Sequence, residues 1–538
     1  MKLTLSVFSV CLLGFALSHE GKFLKRNLSL GAIRGRLLTN PDGTSTYAFQ
    51  GIPYAEPPVG DLRFRAPEPK KPWHGVLNTK AYRNNCIYNS SITPLQVSYN
   101  ELSEDCLYMN IFTSKTCLES KNCSVLFFIH GGGWKAEGPK MLKAETMIEN
   151  FLPEDRNVVL VTFAYRLGFL GMINLAPEIK TWETVKNLAL HDQLLALQFV
   201  NREIHNFGGD PSKVTLMGHS SGAYDAYSLY ISPRTDNLIS QVIVISAPYG
   251  DHKRKPDANT ATSRKIAQLL GCAKEDTDYS NLVAVENVLS CLRKVPVEKL
   301  VDAQRSAENA GSQLAMRDAD MNGLDPIFLA DVRSLISHKR ALPMLVGTTS
   351  KELSLSYGLV KGGVVNSLAV QGTCAYAVAQ TGAKNASLAR QKCVEFYSNA
   401  SHTRYLIDDL YFFSSANSYA RFNSPRNPKT YLYQFDYADI GDAYYVSPNF
   451  TLPHDKEPYH GQELVRSGLS LRPVPRQVYS QGPPDPERLE PADRQFREYR
   501  KSRIRYLSVD FGQNGKMTPE IKTGYHAEAV KLWDSIKY

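Results

Sequence analysis

Cys-x-x-Cys and His-x-x-x-His pairs are absent from the 538-residue sequence, and with them the usual spacing of a metal-binding cluster. Internal repeats and long low-complexity linkers are missing too. A length that alone would suggest two or more domains therefore finds no obvious seam. No RNA- or DNA-binding motif accompanies the formal net charge of +9, which is mild for so long a chain and does not imply a nucleic-acid partner. Residues 532–538 offer neither an apolar tail nor a Lys-Asp-Glu-Leu retention signal, which favours release from the cell over anchoring.

One apolar run does stand out. Lys2, the apolar residues 3–17 and the small-residue pattern Ala16-Leu17-Ser18 have the form of a cleavable secretory signal over 1–18, leaving 19–538 as the mature chain. The run falls short of the roughly 20 residues that a membrane span needs. Of the 9 cysteines, Cys11 lies inside this leader. The others fall as sequence neighbours: Cys86 with Cys106, Cys117 with Cys123, Cys272 with Cys291 and Cys374 with Cys393. Eight cysteines formally allow about 105 connectivities, so sequential pairing is the simplest choice and not a forced one. Paired cysteines fit an oxidising, extracellular compartment. So do six N-glycosylation sequons, at Asn27, Asn89, Asn122, Asn385, Asn399 and Asn449, each of which predicts a surface position.

Arg494, Arg497, Lys501 and Arg505 recur at helical spacing. A solvated helix face explains such a stripe, and the sharper alternative is a docking surface for an acidic partner. The Pro-rich residues 472–491 read as an exposed loop.

Strand-like apolar runs recur at 125–129, 158–163, 214–217, 242–245, 344–346 and 431–435. Runs apolar on both faces suit strands of a sheet covered by helices on either side. Between the second and third, residues 188–205 carry Leu190, Leu194, Leu197 and Val200 on one helical face. The alternation predicts an open α/β sheet, whose ligands sit at the carboxyl ends of the strands. At one such end stands Gly218-His219-Ser220-Ser221-Gly222, between the 214–217 strand and a helical stretch at 223–231. A serine flanked by glycines at a strand-to-helix turn is a candidate nucleophile, Ser220.

Longer motifs surround it. They include Phe49-Gln-Gly-Ile-Pro-Tyr-Ala-Glu-Pro-Pro-Val-Gly-Asp-Leu-Arg-Phe64, Ser103-Glu-Asp-Cys-Leu-Tyr-Met-Asn110, His130-Gly-Gly-Gly-Trp134, Tyr165-Arg-Leu-Gly-Phe169 and Asn206-Phe-Gly-Gly-Asp-Pro211. In this order they resemble the type B carboxylesterases and cholinesterase-like proteins. The resemblance runs from about Leu30 to the C-terminus and thins after His460. It implies an α/β-hydrolase fold: a large, mostly parallel central sheet flanked by helices, in a single domain with long insertions.

By resemblance Ser220 is the nucleophile, and a serine hydroxyl needs a base within hydrogen-bond reach that is oriented by a third group. Pro458-Tyr-His-Gly-Gln-Glu-Leu464 selects His460 as that base, with His454 as its rival. Gly347-Thr-Thr-Ser-Lys-Glu-Leu353 selects Glu352 as the orienting acid, with Asp320 and Asp331 as rivals. Lys351 and Leu353 depart from the family pattern, in which an acid and a glycine are common, and a stiffer backbone at Leu353 would be able to displace the carboxylate. The oxyanion donors implied are the amides of Gly132, Gly133 and Ser221, the last in place of the usual alanine. The family also implies the Cys86–Cys106 and Cys272–Cys291 disulfides.

The first of these disulfide loops has no tryptophan where cholinesterases hold a quaternary ammonium, and His219 stands where they have an acid. Both argue against a choline ester. The expectation is a secreted serine carboxylesterase acting on small ester substrates, with no metal or organic cofactor. The alternative is a non-catalytic, adhesion-type binding protein of the same fold.

Overall fold

The computed structural model describes residues 23–437, 458–463, 505–510 and 519–537, apart from 40–42, 44, 90–98, 142–143, 145–147, 149–151, 153–155, 249–257, 316–319, 321–322, 331, 354–358 and 382. The expected leader, Asn449, His454, Asp331, the Pro-rich residues 472–491 and most of the basic stripe lie outside these. Within the described residues a 13-stranded sheet carries the fold. Its strands are β1 (Phe23–Leu28), β2 (Gly31–Thr39), β3 (Ser45–Pro53), β4 (Val76–Asn78), β5 (Tyr108–Thr113), β6 (Cys123–Ile129) and β7 (Val158–Phe163). The remainder are β8 (Gly209–His219), β9 (Gln241–Ile245), β10 (Met344–Thr349), β11 (Thr430–Phe435), β12 (Arg505–Val509) and β13 (Glu520–Thr523).

Their spatial order is β1-β2-β3-β5-β7-β6-β8-β9-β10-β11-β12-β13, with β4 beside β2. From β7 to β12 every neighbouring pair is parallel, and both margins of the sheet are antiparallel apart from the short β4, which runs parallel to β2. All six apolar runs become parallel strands of this block. Parallel strands need crossover helices, and helices on both faces bury both faces of a strand. That is why β7, Val-Val-Leu-Val-Thr-Phe, is buried along all but its first residue. The helix read from the 188–205 periodicity spans Leu188–Glu203 (α1) and buries Leu190, Leu194, Leu197 and Val200.

Arg505 opens strand β12, so the helical spacing read for the basic stripe does not extend to that residue. Local i, i+4 spacing cannot detect that 505–509 completes a sheet by pairing with β11.

All four cysteine pairs read from sequence order are bonded: Cys86–Cys106, Cys117–Cys123, Cys272–Cys291 and Cys374–Cys393. Asn385 and Asn399 are helix N-caps, their side-chain oxygens accepting from Leu388 and Ser401 amides at 3.0 Å. Among the described residues no helix is long and apolar enough to cross a membrane.

Candidate active site

Four neighbouring parallel strands end side by side, and each delivers one part of the site. Beyond β6 lies the glycine triplet 131–133, beyond β8 Ser220, beyond β9 Ser246, and beyond β10 Glu352. Register keeps these ends level, since Gly218 pairs with Ile129, His219 with Ile245, and Ile245 with Gly347.

Ser220 joins β8 to the helix α2 (Ser221–Ile231) with φ 55° and ψ −126°. A non-glycine residue tolerates this conformation only where its surroundings over-determine it. Here the Ser220 amide donates to Ile245 O at 2.8 Å, and the turn is closed by contacts that leave no room for side chains. A Cβ at Gly218 would lie 2.1 Å from Gly222 O, and one at Gly222 would lie 2.4 Å from the carbonyl oxygens of Ile129 and His130. Both glycines of the pentapeptide are thus required by backbone approach.

The carboxylate and the imidazole meet. Glu352 Oε2 lies 2.5 Å from His460 Nδ1, and the His460 amide donates to Glu352 O at 2.8 Å. Nε2 therefore faces away from the acid, as a proton acceptor must. Burial alone would lower the His460 pKa, but the charge and hydrogen bond of Glu352, with Glu463 and Glu137 behind, raise it above its ordinary value. Of the rivals for the acid, Asp320 is instead a buried acceptor for the Ile327 and Phe328 amides, at 3.0 and 3.3 Å.

Gly132 and Gly133 have φ of 91° and 60°, and among the described residues neither amide has an acceptor. The Ser221 amide opens α2 and so has no partner within the helix. Three free N–H groups beside a serine hydroxyl can stabilise an oxyanion, each donor being worth roughly 3 kcal/mol in comparable sites. Among the described residues no set of three or more His, Cys, Asp or Glu is arranged to hold a metal ion.

The carboxylesterase family profile matches residues 23–467, most of the chain. The chain belongs to the carboxylesterase family. Para-nitrobenzyl esterase of Bacillus subtilis (strain 168) is 32% identical over 400 residues, 73% of this chain and 75% of that protein. Gut esterase 1 of Caenorhabditis briggsae is 32% identical over 324 residues, covering 59% of this chain but only 53% of the relative. Acetylcholinesterase-1 of Trittame loki is 35% identical over 279 residues, half of this chain and 47% of the relative. The chain thus spans about half the length of some relatives and three quarters of another.

Against the common pattern of this carboxylesterase family, the unusual residues have physical answers. The Ser221 hydroxyl accepts from the Trp134 amide at 3.2 Å and bonds to Tyr165, whose own hydroxyl donates to His130 O at 2.8 Å. It thereby ties the glycine loop to the helix that follows Ser220. His219 is buried, with its ring 4.7 Å from that of His460, and burial with the charge of His460 holds its pKa well below the ordinary range. A neutral ring therefore stands where cholinesterases carry an acid.

Leu353 does not displace the carboxylate. Its amide donates to Asp408 Oδ1 at 2.8 Å, and Lys351 Nζ pairs with Asp408 Oδ2 at 3.1 Å. Lys351 and Asp408 are at most 1% exposed. Burial pushes the Asp408 carboxyl up to about 7 against the pull of Lys351 and the Leu353 amide. A π-helical turn, Asp409–Phe413, follows directly and carries Phe412, whose ring lies 5.0 Å from that of His460.

Two further residues escaped sequence reasoning. Ser246 Oγ lies 2.7 Å from Glu352 Oε1 and 2.6 Å from Glu463 Oε1. One hydroxyl proton cannot serve two carboxylates, so the second bond needs a proton on a carboxyl. Burial and the charge of Glu352 raise Glu463 to about 7, which makes it the group that carries it. The only sequence signals were a serine at a strand end and an acid three residues after His460.

Proposed function

We propose that this protein is a secreted serine carboxylesterase that hydrolyses small carboxylic esters through an acyl-enzyme. The observation that carries the reading is the 2.5 Å contact between Glu352 and His460, whose ring lies 4.7 Å from that of His219, the residue before Ser220 on its strained strand-to-helix turn. Ser220 Oγ attacks the acyl carbon while His460 Nε2 takes its proton. The tetrahedral oxyanion lies against the amides of Gly132, Gly133 and Ser221. His460, now an imidazolium held by Glu352, gives the proton to the departing alcohol as the C–O bond breaks. Water then attacks the acyl-enzyme, its proton passing to His460 and on to Ser220 Oγ as the carboxylic acid leaves.

Secretion rests on the leader at 1–18, the sequons and the paired cysteines. The mature chain, 19–538, would then be a single hydrolase domain. Secreted protein should hydrolyse a short-chain nitrophenyl ester and lose about 10⁶ of kcat/KM in Ser220→Ala, the scale of removing a serine nucleophile. Equal rates for the two proteins, or a phosphonate that fails to label Ser220, would sink the reading in favour of a binding protein.

A further inference from the structure

Just past the glycine triplet stands Glu137, a half-buried, non-glycine residue with φ 76°. The loop folds back on itself here: Lys135 N donates to Gly132 O at 3.0 Å, and a Cβ at Gly132 would lie 2.9 Å from Glu137 Cγ. The side chain therefore packs on one of the expected oxyanion donors. Its carboxylate is close enough to His460, Tyr88 and Tyr165 to act electrostatically on each.

Each of the other acids around the site has at least one bonded partner. Glu352 holds His460 and Ser246; Glu463 meets Ser246; Asp225 accepts from Trp134 Nε1 at 2.8 Å and Gln193 Nε2 at 2.7 Å; Asp408 pairs with Lys351. Glu137 has no hydrogen bond or ion pair to its carboxylate among the described residues. Nearby cations are directed elsewhere, Lys135 to Glu308 at 3.4 Å and Lys140 to the Asn84 side chain at 3.3 Å. A half-buried carboxylate with no bonded counter-charge is partly desolvated, and a ligand cation would offset that cost.

We propose that Glu137 determines specificity as the counter-charge for a cationic substrate group, so that the site prefers esters carrying an ammonium near the scissile bond to neutral isosteres. The preference builds on the ester-hydrolysis reading and names a class of substrate for it. Burial raises the Glu137 carboxyl to about 7, so the preference grows from pH 6 to pH 8 as the group ionises. His460, with Glu352 and Glu463 behind it, and Tyr88 and Tyr165 are the titratable groups within electrostatic reach of Glu137. Whatever pH dependence survives removal of Glu137 belongs to them.

Calorimetric titration with hexylammonium and with hexanol tests the counter-charge without requiring turnover. At pH 8 the ammonium should bind roughly tenfold more tightly, the scale of one partly screened charge pair. That preference should shrink to about twofold or less at pH 5.5 and in Glu137→Gln. Glu137→Gly, which suits the left-handed backbone, should behave like Glu137→Gln and guards against a folding defect. Hydrolysis of nitrophenyl esters with methyl-, ammonium- and carboxylate-ended chains should rank ammonium over methyl over carboxylate, and the ranking should collapse in both variants. Equal affinities for the two ligands, or a preference that survives both variants, would overturn the assignment. Turnover of all three esters without an ammonium preference would end this proposal and leave the esterase; Glu137-dependent ammonium binding without any turnover would do the reverse.

Discussion

Ser220 stands on a strand end whose geometry is fixed by backbone packing, whereas Glu352 and His460 stand on two loops held together by buried side chains. On the first side, Gly218 and Gly222 touch carbonyl oxygens directly, and the Ser220 amide is tied to the next strand. On the second, Asp408 accepts the Leu353 amide and pairs with Lys351, while Ser246 bridges Glu352 and Glu463. The Ser220 side, the proposed nucleophile side, should therefore be sensitive to added volume and indifferent to charge. The acid and base side should be sensitive to charge at constant volume.

Glu352→Gln should show the largest effect of this kind. It keeps the shape of the loop but removes the charge that orients and stabilises the His460 imidazolium. Steady-state assays should find kcat lower by about 10⁴, as for loss of the acid in comparable triads. Asp408→Asn should act on stability: the Leu353 amide keeps an oxygen acceptor, but buried Lys351 loses its counter-charge and is left with neutral partners such as the Arg404 carbonyl. Urea denaturation should show a loss of about 3 to 5 kcal/mol, and Lys351→Met in the same protein should recover most of it. If Asp408→Asn alone is neutral, side-chain charge does not hold the acid loop. Gly222→Ala probes the other side. One methyl group is forced against the carbonyls of Ile129 and His130, so urea denaturation should show a loss of about 3 kcal/mol, with Ser220 displaced.

The same contrast explains what the sequence made legible. Backbone-determined features leave local marks: the paired glycines of the pentapeptide, the apolar runs of β6 to β11, and the helical periodicity of α1 all stand in consecutive residues. Ser246, Asp408 and Glu463 leave none, because each acts through partners 55 to 217 residues away. Leu353 looked like a defect when only its neighbours in sequence were visible, and the compensating Asp408 lies on a different element. Arg505 shows the reverse error, where spacing suited a helix and pairing with a distant strand decided otherwise. His460 could be picked out only through its resemblance to a family segment, since a lone histidine carries no local mark of its partner.

Glu463→Gln should give the smallest effect and the most informative one. Glutamine fills the same space and can still donate to Ser246, so the bridge to Glu352 survives, while the partial negative charge that Glu463, raised to about 7, gains as it ionises near neutral pH is lost. A negative neighbour favours the imidazolium, and Glu463 is one of the groups that raise the His460 pKa. Removing it lets His460 release its proton at lower pH. The acid limb of kcat/KM, which reports the free enzyme's histidine, should move down by about half a unit. A limb that stays in place would mean that Glu463 keeps its proton throughout the working range and acts only as a hydrogen-bond donor. In that case the acid side of the site is held, like the nucleophile side, by geometry and not by charge, and the contrast between the two would rest on Lys351 and Asp408 alone.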